Sequence, residues 1–540
     1  MGLNLQDETI YSTYEPVENE VSLPAEPLNG QQTITKAVII AAGNGSRLQG
    51  YQHGSPKPLV KVGGIPLLER VILSAKKIGV KEFVIVIGYQ AARIRKTISA
   101  RKLGVKITWV RNIDWKKPNG VSVLKAEKYV ENKFLLFMSD HVFDLNILKQ
   151  IKDYNLSTDS GVLCVDYALN RIPNLDDATK VRTEGNRLIN LGKSLTDFNA
   201  IDVGIFICHH DLFEALRISQ ESGDETLSGG IRVLSEEGKM ATFNIGDSFW
   251  QDVDTIPDLR YAEKLLLRST RSKNDGIIAK TINRRISNRI SKWLLKTPIT
   301  PNQISVLNFI FMIFIAWLVS TGNPVNVIIG GILFQFASIL DGCDGEVAII
   351  KLKDSKTGAF VDTITDHLSY MTFIIGVTIG VYHVTQNVFV FAVTGFTLAF
   401  LVFALKYGLQ YIKKKDSGSL RKLEQDIAAL NHEEQKVWYL KLLGSVHSLG
   451  RRDMFSFAAF LVMLSGNIVT FYWALMIAVI LMSTGISITA ASMLSKKSKL
   501  KPINIIKKIV SNFWNWIIGP DMELQTENEM TTDYPNTNNC

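Results

Sequence analysis

The chain has 540 residues, 46% of them hydrophobic, and a formal net charge of +9. That length holds two or three domains, and the four cysteines, Cys164, Cys208, Cys343 and Cys540, lack the spacing of a disulfide frame or a metal site, as expected of reduced thiols. Lys and Arg gather beside apolar segments and form no aromatic-studded basic patch, which argues against a nucleic-acid partner.

Residues 1–35 carry several acidic groups and no Lys or Arg. This composition predicts a disordered, solvated tail, and without a basic start and an apolar core no secretory signal is expected. From Lys36 to Arg268, strand-like and helix-like patterns alternate. The run Ala37–Ala42 is apolar throughout and is followed at once by Gly43-Asn44-Gly45-Ser46-Arg47. Further strand-like runs at Glu82–Ile87, Lys106–Val110 and Phe134–Met138 alternate with helical stretches such as Leu67–Ile78. The pattern predicts a Rossmann-like α/β domain with a mostly parallel sheet. Ligands of such sheets bind beyond the carboxyl ends of the strands, where the glycine loop falls.

Glycines at that position let backbone amides approach phosphate oxygens closely. A dinucleotide-binding loop would want a third glycine where Leu48 stands, so a nicotinamide cofactor is disfavoured. Arg47 and Lys57, the latter in Lys57-Pro58-Leu59, instead place two cations beyond the loop. Two cations there suit a triphosphate, neutralising the leaving pyrophosphate and the charge that builds at the α-phosphorus. The combination resembles the sugar-nucleotide nucleotidyltransferase family. The resemblance implies that Ala42, Gly43 and Gly45 meet the nucleotide phosphates, and that Asn119, Gly120 and Ser122 meet its base. It also implies that Asp140 and Asp252, with Asp254 as the alternative to Asp252, hold Mg2+.

Residues 269–300 read as an amphipathic linker. Ile278, Ile282, Ile286, Ile290 and Leu294 recur every fourth residue, with Arg284, Arg285, Arg289 and Lys292 on other faces. A helix of this kind suits the headgroup region of a membrane; an ordinary linker helix packed on the soluble domain is the alternative. Apolar runs at Ile304–Ser320, Val325–Leu340, Ala359–Val384, Val388–Leu409, Met454–Leu464 and Ile468–Leu494 then predict an all-α polytopic membrane domain. The count is about six transmembrane helices, or five if the break at Ser465-Gly466-Asn467 is no boundary. Connections at 321–324, 383–387 and 465–467 lack Lys and Arg, whereas those at 351–356, 413–452 and 496–501 are basic. The positive-inside rule therefore predicts a multi-pass protein of the cell membrane with both termini and both sites on the cytoplasmic side.

Within those apolar runs stand Asp341, Asp344, Asp362 and Asp366. Carboxylates inside a membrane domain are costly unless they bind something positive. Asp341 and Asp344 are three apart and Asp362 and Asp366 four apart, so each pair shares a helix face. Two such faces make an all-oxygen site for hard divalent cations, and two cations could hold a diphosphate. The spacing resembles the CDP-alcohol phosphotransferase signature, with Gly345 and Gly358 at the glycine positions and Ile349 where that family has Arg. The resemblance implies Mg2+ or Mn2+ on Asp341, Asp344 and Asp362, close approach of helices or nucleotide at the two glycines, and Asp366 as base and as a further cation ligand.

One domain of this pair makes an activated nucleotide-alcohol and the other consumes one. Together they resemble the bifunctional inositol-1-phosphate cytidylyltransferase/di-myo-inositol-phosphate-phosphate synthase family, also at Ala178-Thr179-Lys180-Val181, Gly192-Lys193 and Asp202-Val203-Gly204. That resemblance implies Lys180 and Lys193 as substrate contacts, and CTP, inositol phosphate and CDP-inositol as substrates. It further implies a lipid bilayer as setting and a homodimer through the membrane domain. The expected division is a tail at 1–35, a nucleotidyltransferase domain at 36–268, a linker at 269–300, a phosphotransferase domain at 301–496 and a basic then polar tail at 497–540. Two rivals stay open: a lipid alcohol as the acceptor, or a membrane domain without chemistry.

Overall fold

A computed structural model of the protein describes residues 34–48, 54–156, 158–272, 275–414 and 452–494. The acidic tail up to residue 33, the basic stretch 415–451, the C-terminal tail and Cys540 lie outside the described residues.

The first half is built on nine strands: β1 (Lys36–Ala41), β2 (Glu82–Ile87), β3 (Lys106–Arg111), β4 (Phe134–Met138), β5 (Gly161–Asp166), β6 (Lys180–Glu184), β7 (Arg187–Gly192), β8 (Ala200–Cys208) and β9 (Met240–Asn244). They form one sheet in the order β3-β2-β1-β4-β8-β5-β9-β7-β6. In β1 the side chains of Ala37, Ile39 and Ala41 enter one core and those of Val38 and Ile40 the other, as a strand buried on both faces requires. Helices α1 (Leu67–Lys77), α2 (Ala91–Ser99) and α4 (Leu145–Ile151) cover the first face. Helices α3 (Asn119–Leu124), α5 (Asp211–Glu221) and α6 (Leu227–Glu236) cover the second.

The sheet is mixed, not mostly parallel as the alternation predicts. Strands β3, β2, β1 and β4 run parallel, but β8 enters antiparallel to β4 and β5, with Ile205 opposite Phe137 and Ile207 opposite Val162. Parallel neighbours need a crossover helix. Between β5 and β8 the chain has only a short 3-10 turn at Leu169–Arg171 and the hairpin β6–β7, so it returns reversed.

Helix α7 (Ile256–Ser269) closes the soluble half, and α8 (Arg284–Leu294) follows after a π-helical turn at Ala279–Asn283. Then come α9 (Pro301–Ser320), α10 (Pro324–Ile350), α11 (Lys356–Thr385) and α12 (Phe389–Lys414), and after the undescribed stretch α13 (Arg452–Met463) and α14 (Ile468–Leu494). Among the described residues four helices, α9 to α12, have the length and apolarity to cross a membrane. Helices α13 and α14 offer the shorter apolar stretches Asp453–Met463 and Ile468–Thr484. The bundle exposes Leu307, Ile310, Trp317 and Phe389 on its outside, as a lipid-facing surface does. Its inside packs on glycine: a Cβ on Gly376 would lie 2.5 Å from the Ala316 carbonyl, and one on Gly380 2.5 Å from that of Val319. These two positions let α9 and α11 approach backbone to backbone.

Candidate active sites

Strands β1 and β4 are parallel neighbours, so the loop after Ala41 and the turn after Met138 emerge side by side. Gly45 takes φ +56°, and a Cβ there would sit 2.4 Å from that of Lys57, so glycine is needed both for the turn and for the lysine's approach. Among the described residues no atom outside its chain neighbours lies within 4 Å of a Cβ built on Gly43, which leaves open space for a ligand. Opposite the loop, the two-stranded ribbon of His141–Phe143 and Trp250–Asp252 pairs Asp252 with His141, which brings Asp252 beside Asp140.

The Lys57 ammonium lies 2.5 Å from Asp140, 3.5 Å from Asp252, and also bonds Asp254. Burial alone would lower the Lys57 pKa; the three carboxylates reverse that and hold it above the ordinary range. Burial works against the Asp140 carboxylate, but Lys57 and His141 keep it below its usual value. Asp252 is pushed up to about 6 by burial and by the charge of Asp140. His141 Nδ1 is 2.9 Å from Asp140, and its ring stacks on Trp250. Burial opposes its imidazolium, yet Asp252 and Asp140 raise it to about 9.

Asp177 joins the cationic residues at the rim. It bonds Arg47 and accepts from Lys193 Nζ at 2.9 Å, and hydrogen bonds from these two hold its carboxyl down to about 2. Lys180 Nζ donates to the Lys193 carbonyl at 2.8 Å, so Arg47, Lys180 and Lys193 belong to one connected rim. Asn119, Gly120 and Ser122 sit apart on α3. The Asn119 side chain accepts from the Leu227 amide at 2.9 Å, and the buried Ser122 hydroxyl accepts from Asn112 at 2.9 Å.

The second site lies where α10 and α11 form a hairpin around the short turn at 351–355. Carboxylate oxygens of Asp341, Asp344 and Asp362 lie within 4.8 Å of one another. Asp366, one turn beyond Asp362, is within electrostatic reach of Asp344. Ser305 of α9 donates to Asp344 at 2.5 Å, fixing one carboxylate from a third helix. Gly345 donates its amide to Asp344, and Gly358, in the first turn of α11, donates to the Ser355 cap at 3.0 Å. Ile349, at the position of the family's Arg, is exposed. The nearby Lys351 does not replace that charge, because its Nζ donates to the carbonyls of Thr297 at 3.0 Å and Ile299 at 3.1 Å.

Both acidic groups fit divalent metal. The three carboxylates of the second are an oxygen-only set suited to a hard cation, and Asp140, His141 and Asp252 likewise converge within 4.8 Å. Three residues beyond those predicted from sequence take part. Asp177 links Arg47 to Lys193, Ser305 orients Asp344, and buried Glu346 ties α10 to α8 through Arg284 at 2.8 Å and Ser287 at 2.6 Å. Asp177 stands just before Ala178-Thr179-Lys180, and Glu346 lies inside the aspartate signature, so both were adjacent to visible motifs.

Residues 37–227 match the MobA-like NTP transferase domain family, and residues 298–430 match the CDP-alcohol phosphatidyltransferase family. A protein of Rubrobacter xylanophilus named bifunctional IPC transferase and DIPP synthase is 35% identical over 66% of this chain and 80% of its own length. The chain belongs to that bifunctional family. Proteins of the same name from Archaeoglobus fulgidus, 34% identical over 68% of this chain and 70% of theirs, and Aquifex aeolicus, 33% identical over 62% and 74%, agree. The chain is thus a transferase with a nucleotidyltransferase domain and a CDP-alcohol phosphotransferase domain. Its apolar helices associate it with a membrane.

Proposed function

We propose that residues 36–268 transfer a cytidylyl group from CTP to inositol 1-phosphate, and that residues 301–496 pass phosphoinositol from the resulting CDP-inositol to a second inositol phosphate. The observation that carries this reading is the presence of both acidic clusters, one beside a lysine and a glycine loop and one between apolar helices, on a single chain of this family. In the first reaction a phosphate oxygen of inositol phosphate attacks the α-phosphorus of CTP. The bond to the β-phosphate breaks and pyrophosphate leaves. The nucleophile is already anionic, so no base is needed. Ala42, Gly43 and Gly45 present backbone to the triphosphate, and Arg47 and Lys57 neutralise the departing charge. Asn119, Gly120 and Ser122 contact the base, and Lys180 and Lys193 the inositol phosphate. Asp140 and Asp252 would hold Mg2+, with Asp254 steadying Lys57.

In the second reaction a hydroxyl of the acceptor attacks the phosphorus that carries inositol, and CMP leaves with the bridging oxygen. Asp366 accepts the hydroxyl proton. Asp341, Asp344 and Asp362 would hold the cation, which when bound neutralises the diphosphate. Gly345 and Gly358 keep side chains out of the way. Six helices set this domain in the cell membrane, with both sites facing the cytoplasm and a homodimer formed through the bundle. The basic segments at 351–356, 413–452 and 496–501 support that orientation.

Membranes supplied with CTP, Mg2+ and labelled inositol 1-phosphate test the reading. The label should appear in a water-soluble phosphodiester as CMP is released. Label that extracts into organic solvent would mean a lipid acceptor and would refute the soluble one.

A further inference from the structure

Helices α7 and α8 meet in a cleft of about 380 Å³ whose polar lining comes from Arg260, Lys264, Arg268, Arg271, Asn288 and Lys292. It is separate from both acidic clusters. Arg260, Lys264 and Arg268 are spaced four apart along α7, so three like charges share one face. Such a stripe repels itself unless something negative lies against it. None of the five cations makes an ion pair among the described residues. Across the cleft, the side-chain nitrogen of Asn288 is buried and has no hydrogen-bond partner. A buried donor without a partner is costly, and this one lines a cationic cleft.

The faces of α8 decide what kind of anion this is. Its protein-facing side is Ser287, Ser291 and Leu294, continuing from Asn283 of the π-helical turn, all buried. The apolar stripe predicted from sequence is split: Leu294 packs inward and Ile290 partly so, while Ile282 and Ile286 stay exposed; Trp293, outside that stripe, is exposed too. Trp293, 64% exposed, directly follows the cleft residue Lys292 and stands shortly before the first apolar helix, which starts at Pro301. An exposed apolar face on the helix that lines a cationic cleft, shortly before a membrane helix, is the chemistry of the headgroup layer.

We infer that this cleft binds the phosphate headgroup of an anionic phospholipid of the surrounding bilayer. The four α7-side cations and Lys292 meet the phosphate and Asn288 donates to one of its oxygens, while Ile282, Ile286 and Trp293, on another face of the same helical segment, enter the bilayer surface. The inference rests on the membrane setting of α9 to α12. It adds to the proposed reactions a site that holds the soluble domain against the membrane surface.

Native mass spectrometry of the full chain, purified in detergent and offered equal phosphatidylglycerol and phosphatidylcholine, tests it. The wild type should retain phosphatidylglycerol with a preference of about tenfold or more, and Arg260→Gln/Lys264→Gln/Arg268→Gln/Arg271→Gln should bring the two lipids close to parity. Pyrophosphate release should be unchanged, because these residues are outside the reaction machinery. An undiminished preference in the variant overturns the site. Displacement of phosphatidylglycerol by millimolar inorganic phosphate also overturns it, in favour of a free-phosphate site. Should the quadruple variant lose pyrophosphate release through misfolding, Lys292→Gln is read in its place: a reduced preference supports the site and an unchanged one refutes it. Release of the chain from membranes by alkaline carbonate would sink the membrane setting and this inference together, whereas a retained chain without lipid preference sinks this inference alone.

Discussion

The Lys57 ammonium is held among three carboxylates, 2.5 Å from Asp140 and 3.5 Å from Asp252. In the proposed first reaction its charge meets the departing pyrophosphate. Lys57→Ala should lower the turnover for pyrophosphate release by about 10²–10³-fold, the usual loss for one electrostatic contact in a buried site. CMP release from supplied CDP-inositol should be untouched, and assaying the two products separately checks this. Asp252 gives a pH dependence. Its pKa is raised to about 6, so without metal it takes up a proton as the pH falls through that value. A protonated carboxylate is a poor ligand. The Mg2+ concentration for half-maximal pyrophosphate release should accordingly rise as the pH drops below about 6 and stay flat above about 7; a metal titration at several pH values measures it. Lys57, Asp140 and Asp252 could be picked out in the sequence because each follows a strand or sits in a short motif. The Arg47–Asp177 bond could not, since the partners are 130 residues apart and only the folded rim joins them.

At the scale of elements, α8 is the piece whose sequence and structure differ most. A four-residue repeat of Ile and Leu predicts one apolar face, yet the face that packs on α10 is mainly small and polar. The reason is Glu346, buried in α10, which must be matched by Arg284 and Ser287. Arg284 is held in turn by Asp275 at 2.9 Å. Breaking a buried pair by removing one partner leaves the other uncompensated and costs about 3–5 kcal/mol. Glu346→Ala should therefore lower the thermal midpoint of the detergent-solubilised chain strongly, and Glu346→Gln, which keeps a hydrogen-bond acceptor, should lower it less. Equal midpoints for wild type and Glu346→Ala would show that the pair does not brace α10. The sheet teaches the same lesson. Strand runs were readable from apolar patterns, but the reversal of β8 depends on what lies between strands, where a hairpin replaces a helix.

At the scale of the molecule, the two halves share a core. Val60, Val62 and Leu67 of the soluble domain pack with Leu294, Leu295, Ile304, Val347 and Ile350. Gly64 takes φ +84°, and a Cβ there would lie 2.3 Å from the Leu295 carbonyl. Buried Arg70 donates to the Ile350 carbonyl at 2.9 Å and to that of Val62 at 2.7 Å, joining the end of the aspartate-bearing helix to the hairpin that follows Lys57. Arg70→Ala would take the donor from the buried Ile350 carbonyl, at a cost of about 1–3 kcal/mol. Amide exchange at Lys351–Lys353 should then speed up by about tenfold or more while that of β1 is unchanged, because local opening is confined to the junction. The order of the two domains was plain from composition and motifs, but this junction was not, since it consists of packing between residues far apart in the chain.

In the proposed function two separate acidic clusters carry two consecutive transfers. The most direct measurement follows pyrophosphate and CMP together, from the reconstituted full chain supplied with CTP, inositol 1-phosphate and Mg2+. The wild type should release both; Asp362→Ala should release pyrophosphate, accumulate CDP-inositol and form no CMP. Undiminished CMP release by Asp362→Ala would show that the second cluster does not carry the second transfer.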